Sequence, residues 1–226
     1  MKHVLAKEFA SFLHSLIAYL VMGVFLTTMG LLVWVFPDTS VLDYGFADMG
    51  TLFSLAPYVF IFLIPAITMR SMAEEKKAGT LELLLTKPLT DWDIVLGKFT
   101  ACFLLTLITL LPTLVYYLAI YKLGNPVGNI DASGVTGSYI GLLFLSAVFC
   151  AIGLLASSVT SNQVVAFVIG AFLCFIVFTG FNSISSLQAL SSVASSVKQL
   201  GILYHYESLS KGLIDSRDVI YFITVT

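Results

Sequence analysis

Charge is what this 226-residue chain has least of: Asp, Glu, Lys and Arg together make up 11% of it, against roughly 25% in an ordinary soluble domain. The formal net charge is −2 and there is no basic block or arm. That excludes the Lys and Arg cluster needed to grip a nucleic-acid backbone. Cysteine is equally sparse. Cys102, Cys150 and Cys174 each fall inside an apolar run, at no disulfide or metal spacing, and read as small buried hydrophobes. No G-x-x-x-x-G-K-[ST] is present, since Gly97-Lys98 lacks both the earlier glycine and the following hydroxyl residue. The chain therefore carries no phosphate-cradling loop, and no cofactor of its own is expected. There is no H-E-x-x-H either. His3, His14 and His205 lie scattered at the ends of apolar runs, so neither a metal centre nor an enzymatic site is expected, and His205 reads as structural. No Asp, Glu or His interrupts the apolar runs, which disfavours an ion-driven proton relay.

What is abundant is apolar material: 58% of residues are hydrophobic and 13% aromatic, with 18 Phe. Five runs lack any Asp, Glu, Lys or Arg, over residues 16–36, 52–69, 99–121, 139–159 and 164–181. Each has about the 20 residues that a helix needs to cross a hydrocarbon core. One ionisable group at a span centre would cost about 2.5 to 3.5 kcal/mol on insertion scales, which all five avoid. Helices are required, because a lipid-exposed backbone must satisfy its own hydrogen bonds. A sixth run opens at Val219 and reaches only Thr226. The expectation is thus an all-α integral membrane protein, a single domain over residues 1–226. It would be a six-helix bundle whose sixth helix is truncated at the C-terminus. The first run is too long for a signal-peptide core and no small-x-small site follows it, so it stays as an anchor.

Basic residues set the orientation. Lys2 and Lys7 precede the first run, and Arg70, Lys76, Lys77, Lys87 and Lys98 lie between the second and third, whereas Asp38, Asp43 and Asp48 follow the first with no basic residue. The positive-inside rule then places the N-terminus and the 70–98 loop in the cytoplasm. Val4, Leu5, Phe9, Phe12, Leu13 and Leu16 recur at helical spacing. They predict a helix over 3–14 that either lies in the membrane interface or continues the first span. Within the outer segment 182–218, Ile184, Leu187, Leu190, Val193, Val197 and Leu200 predict an amphipathic helix backed by Ser and Gln. Thr27, Thr28, Thr68, Thr106, Thr109, Thr113, Tyr116, Tyr117 and Thr179 are polar groups inside spans, which read as helix packing rather than a translocation route. Pro57, Pro65 and Pro112 are expected to kink spans two and three.

The loop over 70–98 is the most charged stretch. Ser71 with Glu74 has capping-box spacing, Gly79 suits a left-handed stop, and Thr80 can cap a short helix over 81–85 that Pro88 would end. Thr90 and Asp93 form a second capping box, from which a helix rises through Trp92, Ile94 and Val95 into the third span. Leu81, Leu83, Leu84 and Leu85 need burial at the membrane rim; lipid headgroups or a groove on a partner would both serve.

The order of these residues is more telling than their periodicity. The stretch from Met69 to Pro88, through Glu74-Glu75-Lys76-Lys77-Ala78-Gly79-Thr80-Leu81-Glu82-Leu83-Leu84-Leu85, closely resembles the coupling loop of ABC transporter permeases of the second (ABC-2-like) type. Ile94-Val95-Leu96-Gly97-Lys98 continues the likeness, as do Lys7-Glu8-Phe9 near the N-terminus, Ser157 to Gln163 between spans four and five, and His205-Tyr206-Glu207-Ser208 before the last run. The nearest branch is the gliding-motility-associated permeases of Bacteroidetes, with relatives in copper-site maturation of nitrous oxide reductase. The resemblance implies a permease subunit in the bacterial inner membrane, coupling ATP hydrolysis by a separate subunit to export or to gliding-motility or secretion machinery. The alternative it leaves is a mechanotransmitter that passes ATPase motion to an extracytoplasmic partner. It further implies that Glu74, Glu75, Gly79, Thr80, Glu82, Leu83, Leu84, Lys87 and Pro88 contact the ATPase, which would hold the ATP and Mg. A second copy or a related permease, and an accessory membrane protein with a periplasmic domain, are the other implied partners beside membrane lipid.

Overall fold

Apolar periodicity and a few caps decide where each helix begins and stops. The computed structural model describes residues 2–86, 90–186, 194–212 and 215–226, with the side chains of Tyr44, Leu83, Leu84, Leu85 and Ser196 left aside. Helix α1 (Lys2–Leu13) gives way to α2 (Leu16–Trp34) at Ser15, whose hydroxyl accepts the Ile17 N–H at 3.3 Å. After the short α3 (Val41–Tyr44), α4 (Gly50–Thr68) returns through the bundle with Pro57 and Pro65 inside it. The two small helices α5 (Ala73–Lys77) and α6 (Thr80–Leu85) follow. Then α7 (Asp91–Leu110) crosses, and a 3-10 turn at Leu111–Thr113 joins it to α8 (Leu114–Leu123). Pro112 sits in that turn, where its ring and missing N–H break the α ladder.

Helix α9 (Ala132–Val159) is the longest, at 28 residues, and is capped by Asp131, which accepts the Ser133 N–H at 3.1 Å. The Ser133 hydroxyl bond, ahead of the backbone ones, holds the Asp131 carboxyl below the usual aspartate range. Asn162 caps α10 (Gln163–Phe175), which runs through a π-helical stretch, Ile176–Gly180, into α11 (Phe181–Ser185). The chain then forms α12 (Ala194–Gln199), α13 (Ile202–Leu209) and α14 (Ser216–Val225), the last capped by Asp215.

The fold is all-helical, with no strand among the described residues. Five stretches are long and apolar enough to cross a membrane: Leu16–Trp34, Gly50–Lys77, Asp91–Leu123, Ala132–Val159 and Gln163–Ser185. The expected sixth element is the ten-residue α14, which opens at Ser216, ahead of Val219. One boundary moves: α9 starts at Ala132 rather than near 139, because its Asp131 cap prolongs the helix past the point where polarity ends the apolar run. Helix α7 starts at Asp91, where the Thr90–Asp93 box puts it. Of the amphipathic helix expected over 184–200, both ends are helical, in α11 and α12, while residues 187–193 lie outside the described residues.

Helices α4 and α9 form the centre, with Phe60, Ile64, Leu145 and Phe149 fully buried and Phe25 of α2 packed 5.5 Å from Phe60. All three cysteines are buried and free. Hydroxyls inside the spans are used up locally. Thr68, Thr106, Thr109 and Thr113 donate to their own helices' carbonyls at 3.0, 3.1, 2.9 and 2.7 Å, and Tyr116 donates across to Leu26 O at 3.1 Å. Helix α4 approaches α9 tightly at Gly153, where any Cβ would collide with Thr68 Oγ1. Gly153→Val is therefore expected to destabilise the chain by about 1 to 3 kcal/mol, read as a lowered midpoint in thermal unfolding of the detergent-solubilised protein.

Candidate functional site

Three sequence-distant pieces converge at the end of the bundle that bears α1, α5 and the start of α7 (the loop end). Thr90 starts α7 with the expected capping box: its hydroxyl accepts the Asp93 N–H at 3.2 Å, and the Asp93 carboxylate lies 3.4 Å from the Thr90 N–H. Helix α1 lies against α7 so closely that a Cβ on Gly97 would come within 3.0 Å of Val4. That contact delivers Glu8, one turn after Val4, to Lys98.

Lys98 is fully buried. Its ammonium lies 3.0 Å from Glu8 Oε1 and 2.9 Å from Glu75 Oε2, and it donates to Ser71 O at 2.6 Å. The Glu75 contact is an ion pair that lacks hydrogen-bond alignment. Lys7 closes the set, 3.3 Å from Glu75 Oε1 and 3.9 Å from Glu8 Oε1. Two ammonium groups thus face two carboxylates, and the cluster is neutral. Burying a lone ammonium would cost several kcal/mol; this arrangement offsets that cost by joining α1, α5 and α7 through one side chain.

The loop residues singled out by resemblance divide into an anchored and an exposed set. Glu75 turns inward to Lys98 and Lys7. Glu74 is exposed and pairs with Arg70 at 3.0 Å, and Arg70 also donates to Ser15 Oγ at 2.9 Å. Gly79 adopts φ +68°, the left-handed conformation expected of a helix stop. Gly79, Thr80 and Glu82 are exposed. Leu83 and Leu84 lie in α6, with side chains outside the description, and Lys87 and Pro88 lie outside the described residues.

Two local expectations need correction. Ser71 and Glu74 form no capping box: the α5 N-cap is Met72, without a side-chain cap bond, and Ser71 Oγ is buried without a partner. The chain stays in right-handed turn geometry at Met72 (φ −110°, ψ −39°), whereas a capping residue is usually extended. The hydroxyl that meets the Met72 N–H is that of Ser157 in α9, at 3.0 Å. Thr80 is the first residue of α6, and its hydroxyl donates back to Glu75 O at 3.4 Å.

At the opposite, far end, α4, α9 and α13 border an open cavity of about 580 Å³ whose lining includes Phe53, Tyr58, Phe178, Tyr206, Asp131 and Glu207. Tyr206 donates to Phe53 O at 2.5 Å, and burial pushes its phenol well up. His205 joins three segments. Its Nδ1 lies 2.7 Å from Asp218 Oδ1 and its Nε2 2.8 Å from Gln199 O, with the ring stacked on Tyr221.

Comparison with known proteins gives this arrangement a context. A family model described as ABC-2 family transporter protein matches residues 3–216. The chain belongs to that family. The ABC-2 match makes it a multi-pass membrane protein of the permease type, distinct from a catalytic ATPase subunit. One curated relative, the probable multidrug ABC transporter permease YbhR of Escherichia coli, in strain K12 and in O157:H7, is 28% identical over 127 residues. The alignment covers 56% of this chain and 32% of the relative, so it spans about a third of the relative's length.

Proposed function

We propose that this chain is the permease subunit of an ATP-driven transporter in the bacterial inner membrane, working with a separate ABC ATPase and with a second copy of itself or a related permease. The observation that carries the reading is the mounting of the α5–α6 unit. Glu75 is anchored from behind by the buried Lys98, while Glu74, Gly79, Thr80 and Glu82 face outward. In this reading the loop end is cytoplasmic, in keeping with Lys2, Lys7, Arg70, Lys76 and Lys77. Glu74, Gly79, Thr80, Glu82, Leu83, Leu84, Lys87 and Pro88 form the ATPase contact, with the leucines filling a groove and Glu75 holding the unit to the bundle. ATP and Mg belong to the partner.

ATP binding closes the ATPase pair and favours one of two packings of the bundle, which is a population shift driven only by differential contacts. The output is export, of multidrug type if the likeness to YbhR extends that far, or work on gliding-motility or secretion machinery. A specific observation keeps a second reading, in which motion reaches an extracytoplasmic partner without solute movement. The buried span hydroxyls of Thr68, Thr106, Thr109 and Thr113 are turned onto backbone carbonyls, so they offer a hydrophilic solute little lining within one subunit. Purification from native membranes is expected to bring down an ATP-hydrolysing subunit. Solute movement in sealed vesicles containing the purified complex separates the two readings; absence of any ATPase overturns both.

A further inference from the structure

Helix α9 is held near both ends by a similar pair: a glycine that lets a neighbouring segment approach closely, and a serine that bonds to a neighbouring backbone. At the loop end the glycine is Gly153, against Thr68, and the serine is Ser157, one turn further on and fully buried. The Ser157 hydroxyl donates to Met69 O at 3.0 Å and accepts from the Met72 N–H at 3.0 Å and the Ala73 N–H at 3.1 Å. One donated proton and two occupied lone pairs exhaust what a hydroxyl can do. Met69 is the C-cap of α4, and Met72 and Ala73 open α5, so a residue of α9 caps both sides of the α4–α5 break. The Lys76 ammonium adds a bond to Ser158 O.

At the far end, a Cβ on Gly137 would lie 2.7 Å from Gly212 Cα and 2.9 Å from Leu209 O, so only glycine permits this approach to the chain leaving α13. Ser138 shares its hydroxyl between Gly134 O at 2.8 Å and Ser210 O at 2.9 Å. Between Ser138 and Ser157, α9 is unbroken and spans roughly 28 Å at about 1.5 Å per residue.

We infer that Ser157 is the positioning residue through which displacement of the α5–α6 unit enters α9, and that α9 carries it as a rod to α13 at the far end. This rests on the reading of α5–α6 as the ATPase contact and extends it, because the moving set then includes the fourth long helix and not only the two that flank the loop. The physical warrant is a rigid element bonded to both sites, rather than mere position between them. Ser157 touches neither nucleotide nor solute; it acts by fixing α9 to the unit that moves.

The test uses the full chain with its co-purified ATPase in nanodiscs. One spin-label pair is placed at the loop end (Lys2→Cys with Lys77→Cys) and another at the far end (Phe36→Cys with Glu207→Cys). The native thiols are buried and stay in place. Trapping with ATP and vanadate is expected to shift both distances in the unsubstituted protein. Ser157→Ala is expected to keep the loop-end shift and the assembled complex, yet lose more than half of the far-end shift. A far-end shift that survives Ser157→Ala overturns the rod. Should that variant fail to assemble, Ser138→Ala cuts the other end and is judged by the same two outcomes. If no ATPase binds, or the loop-end pair stays still in the unsubstituted protein, the ATPase reading itself fails, and the loop-end pair reports that separately.

Discussion

Lys98→Met should be the most damaging single substitution at the loop end, lowering stability by about 3 to 5 kcal/mol. Methionine has nearly the length of lysine and no charge, so it fills the space while leaving Glu8 and Glu75 facing each other. Their side chains are only 11% and 14% exposed. Lys7, at 64% exposure, is too solvated to replace a buried cation, and Lys7→Ala should cost no more than about 1 kcal/mol. The contrast separates a buried cluster from a surface pair. Adding Glu8→Gln to Lys98→Met should recover part of the loss, giving a coupling energy well above that of neighbours that merely pack. Thermal unfolding in detergent of the wild type, Lys98→Met, Glu8→Gln and the double completes the cycle, with Lys7→Ala measured beside them; equal losses for the Lys7 and Lys98 substitutions would remove the cluster from the account.

The second large effect falls on assembly rather than stability. Glu82→Asp with Leu83→Asp, made together, is expected to release the ATPase or cut ATP turnover at least tenfold while leaving the melting midpoint of the permease nearly unchanged. A carboxylate in place of Leu83 cannot enter an apolar groove without a desolvation cost of a few kcal/mol, and shortening Glu82 withdraws an exposed acidic contact. The substituted positions lie in α6, beyond the turn at Gly79, so the bundle loses no buried contact known to depend on Glu82. Co-purification and ATP hydrolysis read the result, and wild-type assembly with unchanged turnover would count against α6 as the contact.

The long helices were legible because hydrocarbon tolerates no charge, and runs free of Asp, Glu, Lys and Arg mark where a chain can cross it. That rule alone would miss the first turns of α7, which carry Asp91, Asp93 and Lys98; the Thr90–Asp93 box is what marks its start in the sequence. In the sequence Lys98 reads as one more loop cation, because its partner Glu8 is 90 positions away, a distance no periodicity can bridge. A clue was present: Glu8 lies four residues after Val4 and four before Phe12, a charge set into an apolar stripe, which is costly unless paired. Ser157 was harder still. Its neighbours Ser158, Thr160 and Ser161 look like ordinary turn residues, and only the folded bundle brings its hydroxyl to the broken join of α4 and α5. The Asp218 partner of His205 escaped for the same reason, since the two lie on different helices. Between headgroups and a protein groove for the α6 leucines, which periodicity leaves open, the resemblance favours the groove.

The electrostatics also order the mechanism. An ion cluster centred on the buried Lys98 binds α5 to α1 and α7, and a hydroxyl binds the α4–α5 join to α9. Any displacement of the exposed tip at Gly79, Thr80 and Glu82 therefore reaches several long helices at once. Such a mounting suits a lever better than a lipid anchor, which would need only an apolar face.

A photo-crosslinking amino acid at Glu82, irradiated in native membranes, tests this most directly. The account requires its main adduct to be a nucleotide-hydrolysing protein on the cytoplasmic face. An adduct with lipid alone, or modification of the same position by a membrane-impermeant reagent added from outside, would contradict it.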